Sequence, residues 1–128
     1  MLHRHVLFAA LVAAGAAHAA GEPEFALALR DHRFTPSEIR VPANVKVKLV
    51  VDNQDPTPEE FDSHALNREK VIPGKSKASI FVGPLAPGRY PFMGEFNAAT
   101  AQGVVVAEWA RRARRQPSQG PKGPAPRD

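Results

Sequence analysis

Short runs of alternating hydrophobic and polar residues fill positions 24–108, and turn residues separate the runs. In residues 45–51, valine or leucine occupies every second position, and lysine occupies the first two positions between them. This run belongs to VKVKLVVDN, and similar runs are EFALALR, SEIRVP, EEFDS, REKVI, SKASIFVG, GRYPFMGE and QGVVVAEW. No window shows the period of a long amphipathic helix. The pattern predicts an all-β protein, an antiparallel β-sandwich of about seven or eight strands.

Both ends of the chain differ from this β-rich region. Residues 1–19 combine Arg4, the apolar run VLFAALVAAGAA and Ala17-His18-Ala19, which is the pattern of a signal peptide cleaved after Ala19. A retained N-terminal anchor is the alternative interpretation. Residues 110–128 are rich in Pro, Gly and Arg, a composition typical of disorder. We therefore expect a signal peptide at 1–19, a β-sandwich domain at 20–109 and a basic disordered tail at 110–128.

The positive charge of the chain lies in that tail. The formal net charge is +4, but residues 110–128 hold six basic side chains and one acidic one, and Arg4 adds one more positive charge, which leaves −2 for residues 5–109. The signal peptide predicts export and a periplasmic location. The basic tail suits peripheral contact with an anionic membrane surface, whereas its lack of stacking aromatic residues argues against nucleic-acid binding.

The residue inventory excludes several kinds of chemistry. The chain contains no Cys, so it forms no disulfide, thiolate metal site or iron–sulfur cluster. Beyond the signal peptide only His32 and His64 remain. Neighbours in Asp62-Ser63-His64 point to opposite faces of a strand, so this triplet does not predict a catalytic triad. The sequence shows no classical catalytic constellation.

Acidic residues near the ends of predicted strands are the remaining candidates for chemistry. Most of them follow the Pro-rich loop DNQDPTP, begin the run REKVI or lie in the stretch YPFMGEFNAATAQGVVV. Carboxylate oxygens suit hard cations such as ferric iron, and a thioether adds affinity for copper. The alternative is that these acids are ordinary solvated charges on the rim of the sandwich. The candidate metal ligands are Glu60, Glu95, Glu59, Glu69, Met93 and His64.

Three segments within residues 34–106 resemble cupredoxin-like domains. FTPSEIRVPAN is similar to the opening F-x-P-x-x-I-x-V-P-A-G, VKLVVDNQD to the strand and Asn that follow, and GRYPFMGEFNAATAQGVVV to the ligand-bearing loop and final strand. The segment EEFDSHALNREKVIPGKSKASIFVGPLAPGRYPFMGEF resembles the cupredoxin-like domains of bacterial ferrous-iron uptake systems, namely the EfeO-type domain and the small periplasmic cupredoxin of Ftr systems. The resemblance implies a Greek-key β-sandwich that serves an iron permease complex in the inner membrane.

The resemblance also indicates where a blue-copper site would lie. Such a site uses a Cys, two His and a weak axial ligand. Glu60 or Glu59 stands at the position of the first His, and Gly94 at the position of the Cys. Asn97 stands at the position of the second His, and Thr100 or Gln102 at that of the axial ligand. Because neither a thiolate nor an imidazole is present at these positions, we expect no blue-copper centre.

The sequence supports two hypotheses for function. In the first, Glu60 and Glu95 meet at one pole of the sandwich, bind iron or copper and assist iron uptake, with an accessory role in ferrous iron oxidation. Carboxylate ligands favour the ferric state, but a domain without redox copper needs an external electron acceptor. In the second, the sandwich is a metal-free binding module that docks to a periplasmic or membrane partner, and its acids are rim charges.

Overall fold

The computed structural model describes residues 21–109, so the predicted signal peptide and the predicted tail lie outside the described residues. No helix within this range is long and apolar enough to cross a membrane. The elements are β1 (Glu24–Arg30), β2 (Arg33–Thr35), β3 (Glu38–Pro42), β4 (Val47–Asn53), β5 (Glu59–Ser63), β6 (Arg68–Ile72), β7 (Ser76–Val82), β8 (Gly88–Gly94), a 3₁₀ helix (Glu95–Asn97) and β9 (Gln102–Glu108).

The strands form two sheets around a shared core. One sheet has the order β2-β1-β4-β7 and the other the order β3-β9-β8-β5-β6. The prediction of an all-β sandwich is confirmed, with nine strands in the described region. The sheets are mixed, however, because β1 pairs with β4 and β3 pairs with β9 in parallel. The site described below lies at the β8, β5 and β6 end of the five-stranded sheet.

Inward-facing side chains of both sheets build the core. Every second residue of β4 is buried, as the alternation predicts, although Val45 precedes the strand and is 40% exposed. Phe61 and Phe92 stack with ring centroids 5.0 Å apart. Phe34 meets both rings edge-on. Buried aromatic pairs of this kind contribute beyond their area, so the three rings anchor β5 and β8 side by side.

Buried Asn53 joins the end of β4 to the entrance of β5. Its Nδ2 donates to the carbonyl oxygens of Thr57, Ile72 and Pro73 at 2.9, 3.2 and 3.2 Å. Its Oδ1 accepts the N–H of Asp55 at 3.1 Å. The loop between β4 and β5 is therefore held against the end of β6, which fixes where Glu59 and Glu60 begin the next strand.

Asp55 in the same loop stabilises the turn between β1 and β2. Its Oδ1 accepts the N–H of Asp31 at 2.8 Å, and its Oδ2 accepts the N–H of His32 at 3.0 Å. Both donors have left-handed backbone conformations, with φ of 51° and 56°. A single carboxylate thus satisfies the two N–H groups that this turn exposes to the loop.

We expect Asp55→Ala to lower the free energy of unfolding by about 2 kcal/mol at neutral pH, because both N–H groups lose their acceptor. Burial raises the pKa of Asp55, but hydrogen bonds from His32 and Asp31, with the charges of His32 and Lys75, hold the pKa below its ordinary value of 3.8. The stabilisation is therefore present above about pH 4 and is lost as the pH falls through the lower folded-state pKa. Thermal unfolding of the wild type and of Asp55→Ala, from neutral pH to below pH 4, measures the effect. Equal melting temperatures at neutral pH would contradict it.

Candidate metal site

Strand β5 places its two glutamates on opposite faces of the five-stranded sheet. Glu59 points into the sandwich with Phe61 and Ser63 and is 2% exposed. Glu60 and Asp62 alternate with them, are half-buried and point outward. Two residues that are adjacent and identical in type therefore have different environments, and only Glu60 faces the outside of the sheet.

Three carboxylates converge on this outer face. The pairing of β5 with β6 sets Asp62 opposite Glu69, two residues along the strand from Glu60. The 3₁₀ helix after β8 supplies Glu95. One oxygen each of Glu60, Glu69 and Glu95 lies within 4.8 Å of the others. Oxygens that share a Mg²⁺ or Ca²⁺ ion lie about 2.0–2.6 Å from it, and hence about 3–5 Å apart, so these three residues, the acidic trio, have the spacing of a cation site.

Crowding of the three carboxyl groups leaves Glu60 only partly ionised at neutral pH. A hydrogen bond with Glu69 is the largest of the effects that raise the pKa of Glu60 from 4.5 to about 7. Desolvation, a hydrogen bond with Glu95 and the negative charges of both neighbours act in the same direction. Three like charges in so small a space repel one another, and a proton relieves this repulsion. A bound cation would relieve it too, in competition with the proton.

Metal binding by the acidic trio is expected to weaken as the pH falls below about 7, because Glu60 must release its proton to become a ligand. The raised pKa also means that the folded protein binds more protons than the unfolded chain between pH 4.5 and about 7. The metal-free protein should therefore lose stability as the pH rises through that interval, and Glu60→Gln should flatten this dependence. Calorimetric metal titration at pH values on either side of 7 measures the affinity, and thermal unfolding of the metal-free protein between pH 4.5 and about 7 measures the stability. A pH-independent affinity across this range would contradict the prediction.

The other three candidate ligands lie outside the trio. Glu59 is on the opposite face of β5. Met93 pairs with Asp62 on the outer face and is 40% exposed. His64 follows the far end of β5 and, with Met93, lines a groove of about 370 Å³. The structure thus brings together Glu60, Glu69 and Glu95 of the six candidates, and metal binding by any of the six stays a prediction.

Glu59 meets the loop residues that match the blue-copper ligand positions. Its Oε2 accepts a hydrogen bond from Nδ2 of Asn97 at 2.7 Å. A Cβ atom added to Gly94 would lie 2.7 Å from Cδ of Glu59. The sequence did not decide whether Glu59 or Glu60 stands at the position of the first His ligand, and these contacts assign that position to Glu59. The sequence signal that could have decided it is Phe61, because residues two apart on a strand share a face and a Phe points inward.

The sequence of residues 3–107 matches the family model of the cupredoxin-like domain. The chain belongs to the cupredoxin-like domain family. This cupredoxin-like protein is 40% identical over 83 residues to an uncharacterized protein of Rickettsia prowazekii (strain Madrid E). The match covers 65% of this chain and 66% of the relative, so the chain spans about two thirds of that relative's length.

Solved structures of copper proteins share the fold. Auracyanin A, a "blue" copper protein from Chloroflexus aurantiacus, is similar with a TM-score of 0.60 and 13% identity over 69% of this chain and all of its own. The metal-binding domain of the Cu(I)-exporting P-type ATPase CopA of Streptococcus pneumoniae D39, solved with Cu(I), has the same TM-score and 13% identity over 66% of this chain and 84% of its own. At such identities the similarity shows the fold alone.

The residues of this cupredoxin-like protein do not fit a type-1 copper centre. Such a centre needs a Cys thiolate, and the chain has no Cys. At the Cys position, Gly94 supplies no side chain, and the space that a side chain would enter is taken by Glu59. The inner position is therefore closed, and the acidic trio on the outer face of the sheet is a separate candidate site with different ligand chemistry.

Proposed function

We propose that this cupredoxin-like protein binds iron or copper through Glu60, Glu69 and Glu95 and assists iron uptake. The convergence of three carboxylates on the outer face of the five-stranded sheet carries the proposal. An all-oxygen ligand set suits hard cations, so it favours ferric over ferrous iron and Cu(II) over Cu(I). The hydrogen bond with Glu69 and the other contacts of the trio raise the pKa of Glu60 to about 7, so a proton competes with a cation for this site near neutral pH.

The role in iron uptake is supported by the resemblance of residues 59–96 to cupredoxin-like domains of ferrous-iron uptake systems. In this proposal the protein acts in the periplasm, its partner is an iron permease complex in the inner membrane, and the basic tail contacts the membrane surface. Ligands that stabilise Fe(III) make bound Fe(II) easier to oxidise, which gives the site an accessory role in ferrous iron oxidation. The single electron that Fe(II) loses passes to an external one-electron acceptor.

Metal titration of the purified protein tests the proposal. Fe(III) as a soluble chelate, Fe(II) without oxygen, Cu(II) and Mn(II) are each added at about pH 7.5, where Glu60 is largely deprotonated. We expect one ion per chain, with Fe(III) and Cu(II) bound more tightly than Mn(II) and Fe(II). Failure to bind any of the four would contradict metal handling and favour the metal-free docking module.

Exposed apolar side chains beside the trio favour a docking partner as a second function of this face. Val71, which pairs with Glu60 across the sheet, is 51% exposed, and Phe96, next to Glu95, is 52% exposed. Contact with another protein would remove these side chains from water. If Phe96→Ser abolishes association with the permease while Glu60→Gln leaves it intact, docking does not need the metal. If both substitutions abolish association, the two functions depend on each other.

A further inference from the structure

Glu59 is a buried carboxylate that lies on the opposite side of the strand from the acidic trio. Its side chain is 2% exposed, and an ionised group in such a place is costly unless hydrogen bonds satisfy it. Both of its oxygens have donors. Oε1 accepts the backbone N–H of Phe96 at 2.8 Å and that of Glu60 at 3.0 Å, and Oε2 accepts Nδ2 of Asn97 at 2.7 Å.

These donors belong to the segments that carry the trio. Oε1 of Glu59 bridges the backbone of Glu60, a trio member, and the backbone of Phe96, the residue after trio member Glu95. One buried oxygen thus links the backbones that present two of the three outward carboxylates. The two segments lie 37 residues apart in sequence at this contact, so the link is a property of the folded chain.

The 3₁₀ helix that carries Glu95 depends on this link at its start. Its N-cap residue, Gly94, makes no side-chain hydrogen bond to the helix. The free N–H groups at the beginning of a helix need acceptors, which a capping side chain usually supplies. Here Glu59 supplies an acceptor from a neighbouring strand. Gly94 leaves room for its carboxylate, because a Cβ atom at Gly94 would lie 2.7 Å from Cδ of Glu59 and 2.8 Å from Cβ of Ala101.

We propose that Glu59 is the positioning residue of the metal site. From inside the sandwich its carboxylate binds the backbone N–H groups of Glu60 and Phe96, and so keeps Glu60 and Glu95 at the spacing that lets their side chains meet Glu69 outside. The same geometry makes Asn97 a hydrogen-bond partner of Glu59. The inference rests on the proposed function in one respect, namely that the acidic trio binds metal.

Two substitutions at Glu59 test whether this residue acts by positioning the metal ligands or by attracting the cation with its negative charge. Glu59→Leu removes the acceptor. Glu59→Gln removes the charge but keeps an oxygen for the N–H of Phe96, and the Asn97 amide can turn over to accept from the new NH₂ group. Loss of a residue that orients ligands typically costs about 10- to 100-fold in metal affinity. We expect a loss in this range for Glu59→Leu with Cu(II) as the probe, and a loss of no more than about threefold for Glu59→Gln.

Amide hydrogen exchange of the metal-free protein supplies a second readout. We expect the N–H of Phe96 to exchange at least about tenfold faster in Glu59→Leu than in the wild type, and at nearly the wild-type rate in Glu59→Gln. Ser63→Ala is the matched control, because Ser63 is buried on the same face of β5 and its hydroxyl group donates to the carbonyl oxygen of Pro91 and accepts the N–H of Leu66. It should leave the Cu(II) affinity and the Phe96 exchange rate unchanged.

Unchanged affinity in Glu59→Leu, or an equal loss in Glu59→Gln, would overturn the proposal. If Glu59→Leu does not fold, Asn97→Ala decides instead, because loss of the bond to Oε2 frees the Glu59 carboxylate to turn away from the N–H of Phe96. Weaker Cu(II) binding with faster Phe96 exchange supports positioning, and no change in either overturns it. If the wild type binds no metal, the proposed function fails, while Phe96 exchange still shows whether Glu59 holds the helix.

Discussion

Glu60→Gln is expected to lower the affinity for Fe(III) and Cu(II) by at least about 100-fold, because loss of a ligand exceeds the 10- to 100-fold cost of losing an outer-shell partner. Glu60 is the shared member of the trio, since it interacts with both Glu69 and Glu95. Glutamine keeps the shape of the side chain but removes the negative charge that a cation needs. Glu69→Gln and Glu95→Gln should act in the same direction. Competition titration against a chelator of known affinity at about pH 7.5 measures all three.

Asp62→Asn is the matched control for these variants. Asp62 points outward from the same strand, pairs with Glu69 and lies outside the trio. Its loss changes the net charge as much as Glu60→Gln does. We expect the affinity to stay within about threefold of the wild type, since a rim charge acts mainly through the general potential of the surface. An equal loss in Asp62→Asn and Glu60→Gln would show that any acid on this face attracts the cation, and would contradict the assigned site.

Asn53→Ala is expected to reduce the free energy of unfolding by about 3 to 4 kcal/mol, because several buried backbone groups lose their hydrogen-bonding partner at once. Three carbonyl oxygens and the N–H of Asp55 depend on the Asn53 side chain. The substitution should also weaken metal binding, because it releases the loop that sets the start of β5. Urea denaturation measures the stability, and an unchanged m-value shows that only the midpoint has moved.

Asp52→Ala tests whether that loss is specific to the buried side chain. Asp52 is the preceding residue of β4, is half-buried, and accepts one hydrogen bond from Nε2 of Gln54 at 3.1 Å. Its loss should change the free energy of unfolding by no more than about 0.5 kcal/mol, as for most surface substitutions. A similar loss of stability in both variants would contradict the role given to Asn53.

The fold was largely predictable because burial on one face of a strand has a period of two. Strands β5 and β6 have the bounds of the predicted runs EEFDS and REKVI. Strand β2 has only three residues, too few to show a period, and the pattern does not detect it. The parallel pairing of β1 with β4 and of β3 with β9 depends on how the sheets pack, which local alternation does not encode.

The candidate site was predictable in part. Acid type and strand position suggested Glu60, Glu69 and Glu95, and these are the residues whose carboxylates converge. The buried partner of the loop was not predicted, because the hydrogen bonds of Glu59 to Phe96 and Asn97 cross between strands that are distant in sequence. Register between strands also decides which outward side chains meet, and residue composition does not determine it.

A metal-bound crystal structure would show whether the three outer carboxylates bind a cation. Crystals grown with excess Cu(II) or Fe(III) at about pH 7.5 would be measured at the absorption edge of the metal, so that anomalous scattering locates the ion. We expect one ion on the outer face, within about 2.0–2.6 Å of oxygens from Glu60, Glu69 and Glu95. We also expect that Glu59 keeps its hydrogen bond to Asn97. An ion inside the sandwich between Glu59 and Asn97, or no ordered ion at saturating metal, would contradict the proposed site.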